Sequence, residues 1–269
     1  SIDLVFAKAR LSRELNATMP KLNRENYIRI VRARHPLIPS DRVVPIDIWI
    51  GRDYRSLIIT GPNTGGKTVT LKIVGLFALM VQSGIFVPAN EGSEFPVFEH
   101  IYADIGDEQS IEQSLSTFSS HTKNIVEILK VCDKDSLVLF DELCAGTDPA
   151  EGAALAISII EFRRKCGAGV AATTHYAELK VYATTEAGIQ NASCEFDVET
   201  LRPTYRLLVG IPGKSNAFAI SKRLGLGDEI IEDAKARVGV QNASFEATIE
   251  KLEQTRLMLE RDRAEAAVK

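Results

Sequence analysis

Residues 61–68 read Gly-Pro-Asn-Thr-Gly-Gly-Lys-Thr, the spacing G-x-x-x-x-G-K-[S/T]. A glycine-rich loop of this kind, set after a strand and before a helix, lets the backbone curl so that its N–H groups point inward at phosphate oxygens. The following helix adds its positive N-terminal end. Gly61, Pro62, Asn63, Thr64, Gly65 and Gly66 are therefore candidate phosphate-binding residues, and Lys67 would reach the β- and γ-phosphates. The Thr68 hydroxyl is placed to ligate magnesium. The chemistry implied is that of ATP with magnesium. The bland alternative, a chance glycine-rich turn, is disfavoured by the apolar run Ser56–Thr60 before the loop and the helical pattern from about Lys67 to Ser83 after it.

Residues 136–142 read Ser-Leu-Val-Leu-Phe-Asp-Glu. Two acids at the end of a buried strand are costly unless they act at the sheet edge, where ligands bind in open α/β sheets. Asp141 would hold magnesium, and Glu142 would orient and deprotonate an attacking water. The competing reading makes them the N-terminal acids of a following helix. His175 ends a third apolar run, Gly169–Thr174, and could touch the γ-phosphate or the water; otherwise it is an ordinary surface histidine. His35, His100 and His121 have no such placement and read as structural or solvated.

Apolar strands alternating with helices imply an α/β fold with a mainly parallel sheet covered on both faces. Asp148-Pro149 is an N-cap followed by proline at the first helical position, opening a helix to about Cys166. Val43–Ile50 alternates enough for an added strand, another strand lies near Tyr205–Val209, and short helices lie near 215–224 and 228–238. Three parts emerge: an N-terminal helix over 1–19, with Ile2, Val5, Phe6 and Ala9 on one face; a body over 20–238; and a polar break with a charged helix over 239–269. In that last helix Phe245, Ile249, Leu252 and Leu259 give a weak 4,3 spacing, equally read as a solvated amphipathic helix. A chain that opens inside a helix reads as a piece of something longer.

With 269 residues, 45% hydrophobic and 25% charged, the chain is long enough for a sizeable core of ordinary globular composition. A net charge of −4 carries no basic excess of the kind a self-sufficient nucleic-acid module shows. No apolar run approaches the length needed to span a bilayer, so a membrane partner is not expected. Cys132, Cys144, Cys166 and Cys194 form no CxxC pair and read as reduced, mostly buried residues of a cytoplasmic protein.

Taken together, GPNTGGKT, SLSTFSSH at 114–121, LFDELCAGTDPAEGAAL at 139–155 and TTHY at 173–176 resemble the MutS ATPases, a branch of the ABC class of P-loop NTPases. The GGKT ending, the segment CAGTDPAEG and the stretch 191–218 resemble the second bacterial type, which is linked to recombination suppression and ribosome rescue rather than mismatch repair.

The resemblance implies a homodimer in which each nucleotide is sandwiched between one glycine loop and the partner's signature segment, here Ser116, Thr117 and Phe118. It implies that Gly146, Thr147 and Asp148 cross the dimer interface, that Gln109 senses nucleotide, and that Val43 and Leu208 contact adenine. The clamp and lever that would grip DNA or a ribosome precede this stretch in the family, and a nuclease-like domain follows it, so neither activity is expected of these residues. A mismatch-repair MutS and a nucleotide-locked platform with little hydrolysis stay open as alternatives. Against the platform stands the full set of Asp141, Glu142 and His175. A cohesin-like relative would carry an LSGG-type signature, which is missing.

Overall fold

Three runs with no polar interruption, Ser56–Thr60, Ser136–Phe140 and Gly169–Thr173, are buried along almost their whole length and form the centre of the molecule. The computed structural model describes residues 1–62, 65–106, 117–197, 199–214, 216–237 and 255. In chain order its elements are α1 (Ile2–Glu14), β1 (Lys21–Asn23), β2 (Ile28–Ala33), β3 (Ile46–Ile50), β4 (Ser56–Thr60), α2 (Lys67–Gln82), β5 (Glu94–Pro96), β6 (His100–Asp104) and α3 (Thr117–Val131). There follow β7 (Ser136–Phe140), α4 (Pro149–Cys166), β8 (Gly169–Thr173), α5 (Ala177–Thr185), β9 (Ile189–Asp197), β10 (Arg202–Val209), α6 (Ala217–Arg223) and α7 (Asp228–Arg237).

The main sheet has the order β10-β9-β4-β8-β7-β6. Every pairing from β9 to β6 is parallel, and β10 adds an antiparallel edge. The period-two alternation of a strand divides its side chains between two cores. Leu57, Ile59, Leu137, Leu139 and Ala171 face one with α2, while Ile58, Val138, Phe140, Val170 and Ala172 face the other with α3, α4 and α5. Burial on both faces is what makes these strands continuous apolar runs. A second sheet, β1-β5-β2-β3, closes over α2, so Ile28, Ile30, Ile48 and Ile50 join the first core.

Helix α4 starts and stops where local chemistry dictates. The Asp148 carboxylate accepts from the N–H groups of Ala150 and Glu151 at 3.0 and 3.1 Å, and Pro149 needs no partner there. Arg163, Arg164 and Lys165 sit in the last turn, where the helix dipole favours cations, and Gly167 caps at φ 79°.

The first helix is shorter than its sequence pattern suggests. It stops at Glu14, Asn16 turns left-handed at φ 46°, and Thr18 pairs with Val87. Its apolar face is exposed, with Ile2, Val5 and Phe6 at 74%, 67% and 69%. The tail helix expected over 245–268 lies outside the described residues, apart from Thr255. No described helix is long and apolar enough to cross a membrane.

Candidate active site

β4, β6, β7 and β8 run parallel, so Thr60, Asp104, Phe140 and Thr173 end at one edge of the sheet. The glycine loop leaves β4 there. Gly61 has φ 128° and Gly66, the N-cap of α2, has φ 95°, conformations that a side chain strains. The loop is also backed closely by β9: a Cβ at Gly61 would come within 3.0 Å of the Cys194 carbonyl oxygen. Asn63 and Thr64 lie outside the described residues.

Lys67 is the first residue of α2 and only 2% exposed. Its ammonium donates to the Gly61 carbonyl at 2.8 Å. Burial pushes its pKa below the usual lysine value, and the fields of Glu142, Cys194 and Asp141 oppose the shift. The loop lysine and both acids therefore share one electrostatic site. Thr68 follows on the first turn of α2, half-buried. Its hydroxyl and the Asp141 carboxylate are hard oxygen donors, the kind magnesium takes alongside phosphate and water. Among the described residues no three His, Cys, Asp or Glu side chains cluster as a metal cage.

The acids are held by β8. The register Leu139↔Ala171 and Phe140↔Ala172, continued by one residue, sets Asp141 beside Thr173. The Thr173 hydroxyl accepts from the Glu142 N–H at 2.7 Å and donates to Asp141 Oδ1 at 2.5 Å. Glu142 and Cys144 have φ values of 47° and 60°. Such left-handed non-glycine residues cost about 1–3 kcal/mol each and persist only where the surroundings over-determine them. Two further bonds do so here: Leu143 N–H donates to the Thr173 carbonyl at 3.1 Å, and the Tyr176 hydroxyl donates to the Cys144 carbonyl at 2.8 Å.

His175, one residue past the Thr173-Thr174 pair, is exposed, with its ring against Tyr176 at 4.7 Å between centroids. His121 is structural: its Nδ1 lies 2.9 Å from Asp104 Oδ2, and Asn124 donates to Asp104 Oδ1 at 2.8 Å. Asp104 in turn accepts the Asp141 N–H through its carbonyl, also at 2.8 Å.

A cavity of about 510 Å³ opens at the N-terminus of α2, lined by His35, Pro39, Val43, Gly66, Val69 and Tyr205 among others. A larger concavity, about 660 Å³, is lined by residues of α1 alone and holds none of these groups.

The family model for MutS domain V matches residues 57–240, the stretch that contains the loop, both acids and His175. The chain belongs to the MutS family. Proteins named endonuclease MutS2 are similar over nearly all of it. That of Acetivibrio thermocellus is 64% identical over 94% of this chain and 32% of its own length. That of Ruminiclostridium cellulolyticum is 62% identical over 98% and 33%, and that of Halalkalibacterium halodurans 62% identical over 94% and 32%. The chain thus spans about a third of the length of these curated relatives.

The remaining MutS motif positions fall as follows. Ser116 and Gln109 lie outside the described residues, and Thr117 opens α3. Phe118 packs by Gly146, whose Cβ position is 3.5 Å from Phe118 Cβ, so the expected signature segment and the expected interface-crossing loop meet within one MutS domain. Val43 lines the cavity, but Leu208 does not: it is buried at 7% exposure on the edge strand β10, opposite Ser193 of β9. Tyr205 stands in the cavity wall instead. The β10 register shifts between Pro203 and Leu207, and Tyr205 is left-handed at φ 59°, so its ring comes against Gly66. Neither Tyr205 nor His35 was marked by sequence spacing, since one depends on a bulge and the other on a loop closing over α2.

Proposed function

We propose that this chain binds ATP with magnesium and hydrolyses it, as a dimerising engine of the ABC class of P-loop ATPases. The observation that carries the reading is the buried Lys67 ammonium, placed in the fields of Glu142 and Asp141 next to a cavity at the α2 N-terminus. The phosphates would lie on the amides from Gly61 to Thr68, with the base in the cavity between Val43 and Tyr205. Magnesium, held by Thr68 and Asp141, would supply positive charge against the phosphate oxygens. Lys67 would exchange the Gly61 carbonyl for the β- and γ-phosphates. Glu142 takes the proton of the attacking water, and His175 steadies the γ-phosphate or that water.

In the dimer Ser116, Thr117 and Phe118 of one protomer close on the γ-phosphate held by the other, and Gly146, Thr147 and Asp148 line the interface. Hydrolysis removes the bridging phosphate and loosens the pair. The relatives' name supports a MutS2-type protein rather than a mismatch-repair MutS, and a cytoplasmic location goes with that reading. The ATPase would then drive a grip on nucleic acid, either DNA in recombination suppression or a stalled ribosome. Those contacts and any endonuclease activity would belong to other parts of such a protein; the net charge of −4 gives this chain no basic excess for the purpose.

Light scattering on Glu142→Gln tests the dimerisation. The molar mass should double with ATP and magnesium and stay monomeric without them. A monomer at saturating ATP would remove the sandwich from the account.

A further inference from the structure

The hydroxyl of Thr173 joins the two acids to each other, a role the sequence reading of the TTHY motif did not give it. It is fully buried at the end of β8, one strand from the acids. We propose that Thr173 is a positioning residue for hydrolysis, resting on the ATPase reading above. Its hydroxyl would set the Asp141 carboxylate and the Glu142 backbone in register with each other.

A hydroxyl carries one proton. Here the Glu142 N–H enters Oγ1 at 2.7 Å, and the proton of Oγ1 leaves toward Asp141 Oδ1 at 2.5 Å. Both bonds together fix the rotor, so neither acid can shift without the other. The bond to Asp141 engages one carboxylate oxygen, which sets the direction of the second. The bond from Glu142 fixes a residue at φ 47°, where an unheld backbone would relax toward the right-handed region and swing the side chain away. The Leu143 N–H on the Thr173 carbonyl anchors the next residue of the same turn. Thr174 does not share this role: its hydroxyl accepts from Tyr176 N–H at 3.1 Å.

Thr173→Val keeps the shape and removes the hydroxyl; Thr173→Ser keeps the hydroxyl and removes the methyl. Steady-state ATP hydrolysis is measured for both beside wild type, with kcat and KM separated and magnesium titrated. Thr173→Val is expected to lower kcat by about 100-fold, the scale of a misplaced catalytic group, with KM for ATP little changed and a higher magnesium requirement. Thr173→Ser is expected to restore most of kcat. Should Thr173→Val fail to fold, Thr173→Ala and Thr173→Ser make the same comparison, since they differ by the hydroxyl alone. Wild-type kcat in the hydroxyl-less variant, a loss confined to KM, or an equal loss in Thr173→Ser would overturn the inference while leaving the ATPase reading intact. A wild-type chain that fails to hydrolyse ATP would overturn both.

Discussion

The Lys67 ammonium donates to the Gly61 carbonyl at 2.8 Å and so closes the glycine loop on itself. The loop lysine is desolvated, only 2% exposed, and burial of its ammonium opposes the charged form.

Lys67→Met should therefore separate stability from binding. With its folded pKa below the ordinary 10.5, Lys67 holds its proton less tightly in the folded state than in the unfolded one. Its burial costs stability at neutral pH, and that cost fades as pH rises from the folded value toward the unfolded one. The nucleotide-free variant should melt at or above the wild-type temperature. Its ATP affinity should fall about 10- to 100-fold, the loss of a charge-assisted hydrogen bond. Thermal unfolding with and without ATP reads both; undiminished stabilisation by ATP would count against Lys67 as a phosphate ligand.

Gly152 sits in α4 where a Cβ would overlap the Tyr176 hydroxyl and lie 2.9 Å from the Cys144 carbonyl oxygen. Gly152→Ala should push Tyr176 off that carbonyl and loosen the turn that carries Glu142. A destabilisation of about 1–3 kcal/mol is expected from the overpacking, despite alanine's better helix propensity. Chemical denaturation measures it, and a variant as stable as wild type would contradict the clamp.

Tyr205 tests the placement of the base. Tyr205→Ala should weaken ATP binding about 3- to 10-fold, the scale of a lost aromatic contact. Affinity for inorganic tripolyphosphate, which has no base, should be unchanged. Equal losses for both ligands would move Tyr205 from the base to the loop.

Asp133, Glu161 and Asp197 should contribute acid sensitivity. A Ser136 hydrogen bond lowers the pKa of Asp133, Arg164 and Tyr182 lower that of Glu161, and Thr200 lowers that of Asp197. Depressed folded values mean stability present above the ordinary 3.8 and 4.5 and lost as pH falls through the folded ones. Melting temperature should hold from neutral pH to about 4.5 and drop below it, and Glu161→Gln should soften the drop. A variant with an unchanged acid limb would contradict the Glu161 contribution.

Much of this architecture was legible because the parallel strands are buried on both faces. Leu57 to Ile59 and Leu137 to Phe140 left uninterrupted apolar runs, and Asp148-Pro149 announced α4 to the residue. β9 was obscured because it turns Asn191 and Ser193 inward; Asn191 finds partners in the Lys180 carbonyl and the Thr184 hydroxyl. The second sheet was only partly visible. β3 alternates clearly, whereas β1 and β5 have three residues each and pair over a separation of about seventy positions. At the site, the loop, Asp141 and Glu142 were readable from spacing because their chemistry demands adjacent residues. Tyr205 was not, since a bulge rather than a period brings it to Gly66, while Leu208, past the bulge, is buried in register with Ser193 of β9.

The central claim is that Glu142 activates water for ATP hydrolysis at this site. Single-turnover phosphate release, with ATP affinity measured on the same samples, tests it most directly. Glu142→Gln should bind ATP as wild type does and release phosphate about 100- to 10,000-fold more slowly, the contribution of a positioned general base. Phosphate release at the wild-type rate from Glu142→Gln would contradict the account.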